Sequence, residues 1–303
     1  MPVAYTNHIG RSSRDTHSGK NTAISTVSDL GATEKHNNHD YTQADVGRMQ
    51  SDINLEQKHL NRQFVMVEDK LVEVDGHLDL AANVRKIYDD EFADVVAAYN
   101  KQQVAAGHPE RQISDYLQKI SDDKQQEVAV EGLLQIGSFE NWEGKTEQER
   151  AAAVPILLRA LQETLKELNG KGRRFVLAGV SVHLNEGSPH LHYVGVPIQE
   201  AKEVKKGLPK KVKKSAVFTK DTLGTGLQDN VRAAIAPMVL ETFGWEFEAK
   251  KTGRNEDRDK NTQVNEILKE QISENEKKLA SLEAQIEAAE ASEQVAREKA
   301  SKA

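Results

Sequence analysis

With 303 residues, 37% of them hydrophobic and 29% charged, the chain can bury at least one sizeable core beneath a highly charged surface. No apolar run approaches the roughly 20 residues that cross a bilayer, and Met1-Pro2-Val3-Ala4-Tyr5 lacks the basic start and apolar stretch of a signal peptide, so a cytoplasmic protein with no membrane segment is expected. The absence of cysteine excludes disulfides and thiolate sites, leaving nitrogen and oxygen as the only ligands for a metal. The net charge of −7 argues against a simple nucleic-acid binder, but residues 201–254 carry 12 Lys+Arg against 6 Asp+Glu. A basic segment between two acidic ones can still serve as a phosphate-binding footprint.

Residues 1 to about 62 are rich in Ser, Thr, Asn, Asp and His with little apolar periodicity, and read as irregular structure with short elements. Val84, Ile87, Tyr88, Phe92, Val95, Val96 and Tyr99 then recur at helical spacing, which predicts a helix over Asn83–Asn100. A short helix is expected over about Glu110–Ile120 and a strand over Glu127–Ile136. Thr146-Glu-Gln-Glu is a capping-box pattern that opens a helix running to Asn169, with a kink or break expected at Pro155. Two strand-like runs, Phe175–Leu184 and His190–Ile198, flank Asn185-Glu186-Gly187-Ser188-Pro189, whose composition is that of a hairpin turn. A lysine-rich loop follows, then a helix near Thr222–Phe243, broken or bent at Pro237, and a short strand at Trp245–Glu248.

The last stretch changes character. Ile272, Leu279 and Ile286 occupy one heptad position, with Leu268, Asn275, Leu282 and Ala289 at the other. Residues 1–254 are therefore expected to form one domain and 255–303 a helical coiled-coil tail. The tail either pairs two protomers into a homodimer or stands as a solvated helix. It fades into Ala and Glu without a C-cap, as a truncated chain would.

The chemistry is carried by His183-Leu-Asn-Glu186-Gly-Ser-Pro-His190-Leu-His192. Side chains on a strand alternate faces, so His190 and His192 project to one side about 7 Å apart. The hairpin can bring His183 alongside them, so that three neutral imidazoles converge on one divalent ion with positions left open for substrate oxygens. Glu186, in the turn, can ligate the ion, orient a ligand or handle a proton. The competing reading is a surface cluster or a buried hydrogen-bonded set of histidines, and spacing alone does not separate a nuclease from another metal hydrolase.

The string His-x-x-Glu-x-x-Pro-His-x-His with a downstream Val-Pro, at His183 to Pro197, resembles the metal motif of the Mob/Pre (MobV) relaxases. The order of strand, long helix, hairpin, Lys214-Ser-Ala-Val-Phe218 segment and tail is similar to that family over about residues 30–255. The resemblance implies an α+β fold of the HUH endonuclease type, a central antiparallel sheet flanked by helices. It also implies a site- and strand-specific DNA transesterase acting at a plasmid transfer origin. His183, His190 and His192 would hold Mn²⁺ or Mg²⁺, with Glu186 as the acidic residue of the motif; Zn²⁺ is the competing ion. A rolling-circle replication initiator and a water-using metallonuclease are the alternatives.

A relaxase keeps the phosphodiester energy in a covalent bond, so a side chain attacks. Lys35-His36-Asn37-Asn38-His39 is similar to the family's N-terminal His-Asn-x-Arg, which implies His36 as nucleophile and Asn37 as the residue that places it; His39 stands where the family has arginine. Lys58-His59-Leu60-Asn61 resembles a companion segment. Tyr41 is the second candidate nucleophile. Tyr116, in Tyr-Leu-Gln-Lys, resembles a replication-initiator pattern but lies upstream of the hairpin. Finally, Lys202, Lys205, Lys206, Lys210, Lys211, Lys213 and Lys214 fall within thirteen residues just after the histidines, and are expected to clamp the DNA backbone.

Overall fold

The computed structural model describes residues 2–9, 24–49, 53–201, 204, 207–219, 222, 225–248 and 279. All of these except Leu279 belong to one compact unit. The expected coiled coil, apart from Leu279, lies outside the described residues, as do Lys202, Lys205 and Lys206.

Strands β1 (Pro2–Val3) and β2 (Tyr5–Ile9) lead to helix α1 (Val27–Asn37). A reciprocal cap starts this helix: Thr26 Oγ1 accepts from the Asp29 N–H, and the Asp29 carboxylate accepts from the Thr26 N–H, both at 3.0 Å. The irregular structure expected before residue 62 is thus partly helical, and α2 (Gln43–Met49) and a 3₁₀ turn at Leu55–Leu60 follow. Only Leu30 and Asn37 of α1 are buried, so the helix has almost no apolar stripe to reveal it. Strands β3 (Arg62–Val67) and β4 (Lys70–Val74) form a hairpin that the sequence reading passes over. Glu68 and Asp69 turn it with φ of 47° and 60°, the left-handed pair that a two-residue hairpin loop demands.

The long helix α3 (Leu80–Ala105) exceeds its expected span at both ends. The segment expected as one short helix resolves into a 3₁₀ turn at Pro109–Arg111 and α4 (Tyr116–Ser121). After β5 (Val130–Ile136) come α5 (Phe139–Trp142), α6 (Glu147–Ala151) and α7 (Val154–Leu168). The break between α6 and α7 falls just before Pro155, because proline fits the first turn of a new helix better than the interior of an old one. The hairpin β6 (Arg174–His183) and β7 (His190–Glu200) follows, then β8 (Lys210–Val212), α8 (Lys214–Val217), α9 (Thr225–Phe243) and β9 (Glu246–Phe247). Helix α9 continues through Pro237, where a break or bend was expected.

Seven strands make one sheet in the order β2-β5-β7-β6-β3-β4, with β8 beside the far end of β7, and every pairing is antiparallel. Strands β1 and β9 pair separately in parallel. One face packs on α7 and α9 through Ile156, Leu161, Val231 and Ile235; the other packs on α1, α3 and α4 through Leu30, Val84, Phe92 and Leu117. The fold is therefore a mixed α/β one, a central antiparallel sheet flanked by helices. Because β6 and β7 are covered on both faces, they read as almost unbroken apolar runs. Among the described residues no helix is long and apolar enough to cross a membrane.

Close backbone approach is needed at Gly132 on β5, opposite Tyr193 on β7, where a Cβ would come within 2.1 Å of the fully buried Tyr193 ring. Gly132→Ala should lower stability by about 1–3 kcal/mol through overpacking, read from the urea midpoint; an unchanged midpoint would contradict this packing.

Candidate metal centre

The β6–β7 register sets the site. His183 pairs directly with His190, and Ser181 with His192, so the alternation of the strands turns all three histidines to the face covered by α1 and α3. The three ring centroids stand 5.0, 4.9 and 5.0 Å apart, and the three residues are 0%, 7% and 6% exposed. The structure thus brings together His183, His190 and His192 as the sequence suggested.

The proton positions on two of these rings are fixed by groups that can only accept. His183 Nε2–H donates to the Asn37 carbonyl at 3.1 Å, and His190 Nδ1–H donates to the Ser188 carbonyl at 2.9 Å. In the neutral rings, His183 Nδ1 and His190 Nε2 then face each other as bare lone pairs at 3.2 Å. Glu186 Oε1, a third acceptor, lies 3.3 Å from the first and 3.8 Å from the second. Three lone pairs so close repel unless a proton or cation lies among them. Ligands at ~2.1 Å from one ion, at right or tetrahedral angles, stand roughly 3.0–3.4 Å apart, which is the spacing found at the first two contacts. His192 Nε2 is buried without a hydrogen-bond partner, as is Glu186 Oε1. By these spacings His183, His190 and Glu186 fit a divalent cation, while His192 falls in a second possible ligand group with His36 and His183.

Electrostatics favour the same form. Burial pushes His192 down to about 3 and His183 well below its usual value, so both rings present lone pairs at neutral pH. His192 Nδ1 lies 3.0 Å from Glu131 Oε1 on the neighbouring strand β5. Burial raises the Glu131 carboxyl; with a cation at Nε2 the His192 ring proton would sit on Nδ1 and donate to Glu131. Glu131 was missed in the sequence. Its signal is a lone carboxylate in the otherwise apolar run Val128-Ala-Val-Glu-Gly-Leu-Leu.

The N-terminal residues arrive on the end of α1. The His36 ring lies 5.0 Å from His192 and 5.6 Å from His183, centroid to centroid, and its Nδ1 is 3.3 Å from the Tyr41 hydroxyl. Burial lowers His36 to about 4. Both candidate nucleophiles thus stand at the cluster. Asn37 offers its backbone carbonyl to His183 and a side-chain hydrogen bond to Glu131, so it places the histidine cluster itself. His39 is fully buried against His183, with its Nε2 3.0 Å from Glu186 Oε1. His59 is exposed and turned to the Glu56 carbonyl. Tyr116 packs on Tyr88 and Phe92 and accepts the Val212 N–H, so it serves the core.

The turn that carries Glu186 is held from outside by two further groups. Arg150 on α6 donates to the carbonyls of Glu186 at 2.7 Å and Leu184 at 3.3 Å. Asn54 and Asn185 exchange hydrogen bonds, Asn54 N–H to the Asn185 carbonyl and the Asn185 amide to the Asn54 carbonyl.

The lysines stand elsewhere. Strand β8 pairs with Ile198–Glu200, six or more residues along β7 from His192, which is ~20 Å away. Lys210 is paired with Glu91 at 2.6 Å and Lys214 with Glu127 at 2.9 Å, while Lys211 and Lys213 are exposed. Proximity in sequence to the hairpin is therefore not proximity in space.

The chain is similar to solved MobM relaxase domains. One, described as MOBV (Mob_Pre), bound to 22 nucleotides of plasmid pMV158 oriT DNA and Mn-bound at pH 5.5, is 14% identical, with 87% of this chain and 99% of that chain covered and a TM-score of 0.46. A second, at pH 4.6, gives 16%, 87%, 99% and 0.44, and a third, carrying a 3′ thiophosphate, gives 15%, 87%, 98% and 0.45. A likeness of this size carries neither chemistry nor site residues from one chain to another. Neither a protein-family model nor a curated protein matches the chain.

Glu131→Ala should leave the fold intact and weaken Mn²⁺ binding roughly 10- to 100-fold by titration calorimetry, the usual cost of losing a histidine's carboxylate partner. Equal affinity in the variant would remove Glu131 from the centre.

Proposed function

We propose that the protein is a metal-dependent DNA relaxase that nicks one strand at a plasmid transfer origin and keeps the cut end covalently attached. The single observation that supports it most is the set of facing lone pairs of His183 Nδ1, His190 Nε2 and Glu186 Oε1, with the His36 and Tyr41 side chains beside them. The motif resemblance at His183–Pro197 supplies the substrate class.

In this reading His183, His190 and His192 hold Mn²⁺ or Mg²⁺, with Glu186 as fourth ligand or orienting carboxylate. When bound, the ion supplies positive charge for the oxygens of the phosphodiester. His36 Nε2 attacks phosphorus: a P–N bond forms, a P–O bond of the strand breaks, and the released oxygen takes a proton from water. The positive charge that develops on the ring is eased at Nδ1–H by the Tyr41 oxygen, 3.3 Å away. Tyr41 is the alternative attacking group. Burial, with Glu186 and Asp45 nearby, raises its phenol, which keeps it protonated and makes it the poorer nucleophile.

Lys211 and Lys213, with Lys205, Lys206 and the ion-paired Lys210 and Lys214, would contact backbone phosphates at a distance. At ~3.4 Å per nucleotide, a 20 Å separation puts the described lysines at and beside β8 about six nucleotides from the cut. They contribute affinity and salt dependence, not base choice. The tail at 255–303 is proposed as a separate helical segment that pairs two copies of the chain.

Supercoiled plasmid bearing the matching origin, incubated with Mn²⁺ and run on denaturing gels, should yield a protein-linked nicked strand. His36→Ala should abolish the adduct while retaining Mn²⁺ binding. Free nicked ends would indicate a water-using nuclease, and an adduct formed by His36→Ala would transfer the role to Tyr41. In a separate measurement, Lys211→Ala with Lys213→Ala should flatten the salt slope of oligonucleotide binding by up to about 2; an unchanged slope would remove both from the interface.

A further inference from the structure

Four buried histidines meet at this centre, and the hydrogen bonds around them divide them into two kinds. His183 and His190 each give their outer N–H to a backbone carbonyl and turn a lone pair inward. His39 is arranged the other way, and Asn61 is the cause.

The Leu184 N–H donates to Asn61 Oδ1 at 2.8 Å, which fixes the amide orientation. Asn61 Nδ2 is then left 3.2 Å from His39 Nδ1. An amide nitrogen can only donate, so His39 Nδ1 must accept, and the ring proton is driven to Nε2. A ring protonated at both nitrogens would set two N–H groups against each other at that contact. His39 Nε2 in turn lies 3.0 Å from Glu186 Oε1. By distance alone His39, His183 and Glu186 could share a cation, since one ligand atom from each lies within 4.8 Å of the others. The proton on Nε2 excludes His39 from that role.

We propose that Asn61 is a positioning residue that locks His39 as the Nε2–H tautomer, so that it turns an N–H and not a lone pair toward the centre and cannot serve as a ligand. The consequence, which rests on the cation reading above, is a centre with three nitrogen ligands instead of four. A fourth imidazole would favour nitrogen-preferring ions such as Zn²⁺ over Mn²⁺ or Mg²⁺ and occupy a coordination position that a phosphate oxygen can use. Asn61 sets the ion preference without touching the ion.

The test is the tautomer itself. Long-range ¹H–¹⁵N spectra of the metal-free full chain should show His39 protonated at Nε2. In Asn61→Asp, which keeps the acceptor for the Leu184 N–H but replaces the donor by an acceptor, the proton should move to Nδ1. Titration calorimetry of that variant should show Zn²⁺ affinity rising relative to Mn²⁺ by roughly tenfold or more, the scale of a ligand-shell change. His39 protonated at Nδ1 in the unaltered chain would overturn the proposal without any variant, and so would an unmoved proton in Asn61→Asp. An unaltered chain with the expected tautomer but no affinity for either ion would sink the cation reading and leave the Asn61 lock standing.

Discussion

The cross-strand contact between His183 and His190 governs the whole centre. Two backbone carbonyls, from Asn37 and Ser188, take the outer protons of these rings, so the inner nitrogens, 3.2 Å apart, face each other as acceptors unless a proton or cation lies between them. Facing acceptors in a buried site cost free energy. The surrounding fold must hold this arrangement in place, and the proposed cation would relieve it. The histidines sit on the two central strands of the sheet, each paired on both sides.

The supports come from widely separated segments. Helix α1 delivers the Asn37 carbonyl and His36, β5 delivers Glu131, α6 delivers Arg150, and the 3₁₀ turn before β3 leads to Asn61. Each acts through a hydrogen bond to a fixed group, so each constrains direction as well as distance. Proton placement is the common currency: Asn37, Ser188 and Asn61 decide which nitrogen of three histidines is available. A histidine cluster built this way is specified as much by its carbonyl and amide neighbours as by the rings themselves.

The hairpin and its histidines were legible in sequence because strand alternation and turn chemistry are local rules, and Asn185–Pro189 obeys both. The break before Pro155 was legible for the same reason. Helix α1 was not, because it buries only Leu30 and Asn37 and so lacks an apolar period. The distance of the lysines from the histidines was not legible for a different reason: β7 is eleven residues long, and following it carries the chain to the opposite end of the sheet before β8 begins. Glu131 and Asn61 each act through a contact far away in sequence, 61 and 123 residues respectively, which no local pattern reports.

The most direct test is a crystal of the full chain grown with Mn²⁺, with diffraction recorded at the manganese edge. One anomalous peak per chain, within ~2.3 Å of His183 Nδ1, His190 Nε2 and His192 Nε2, is the predicted result. A peak elsewhere, or none with His183 and His190 unchanged, would show that the facing nitrogens are not a cation site.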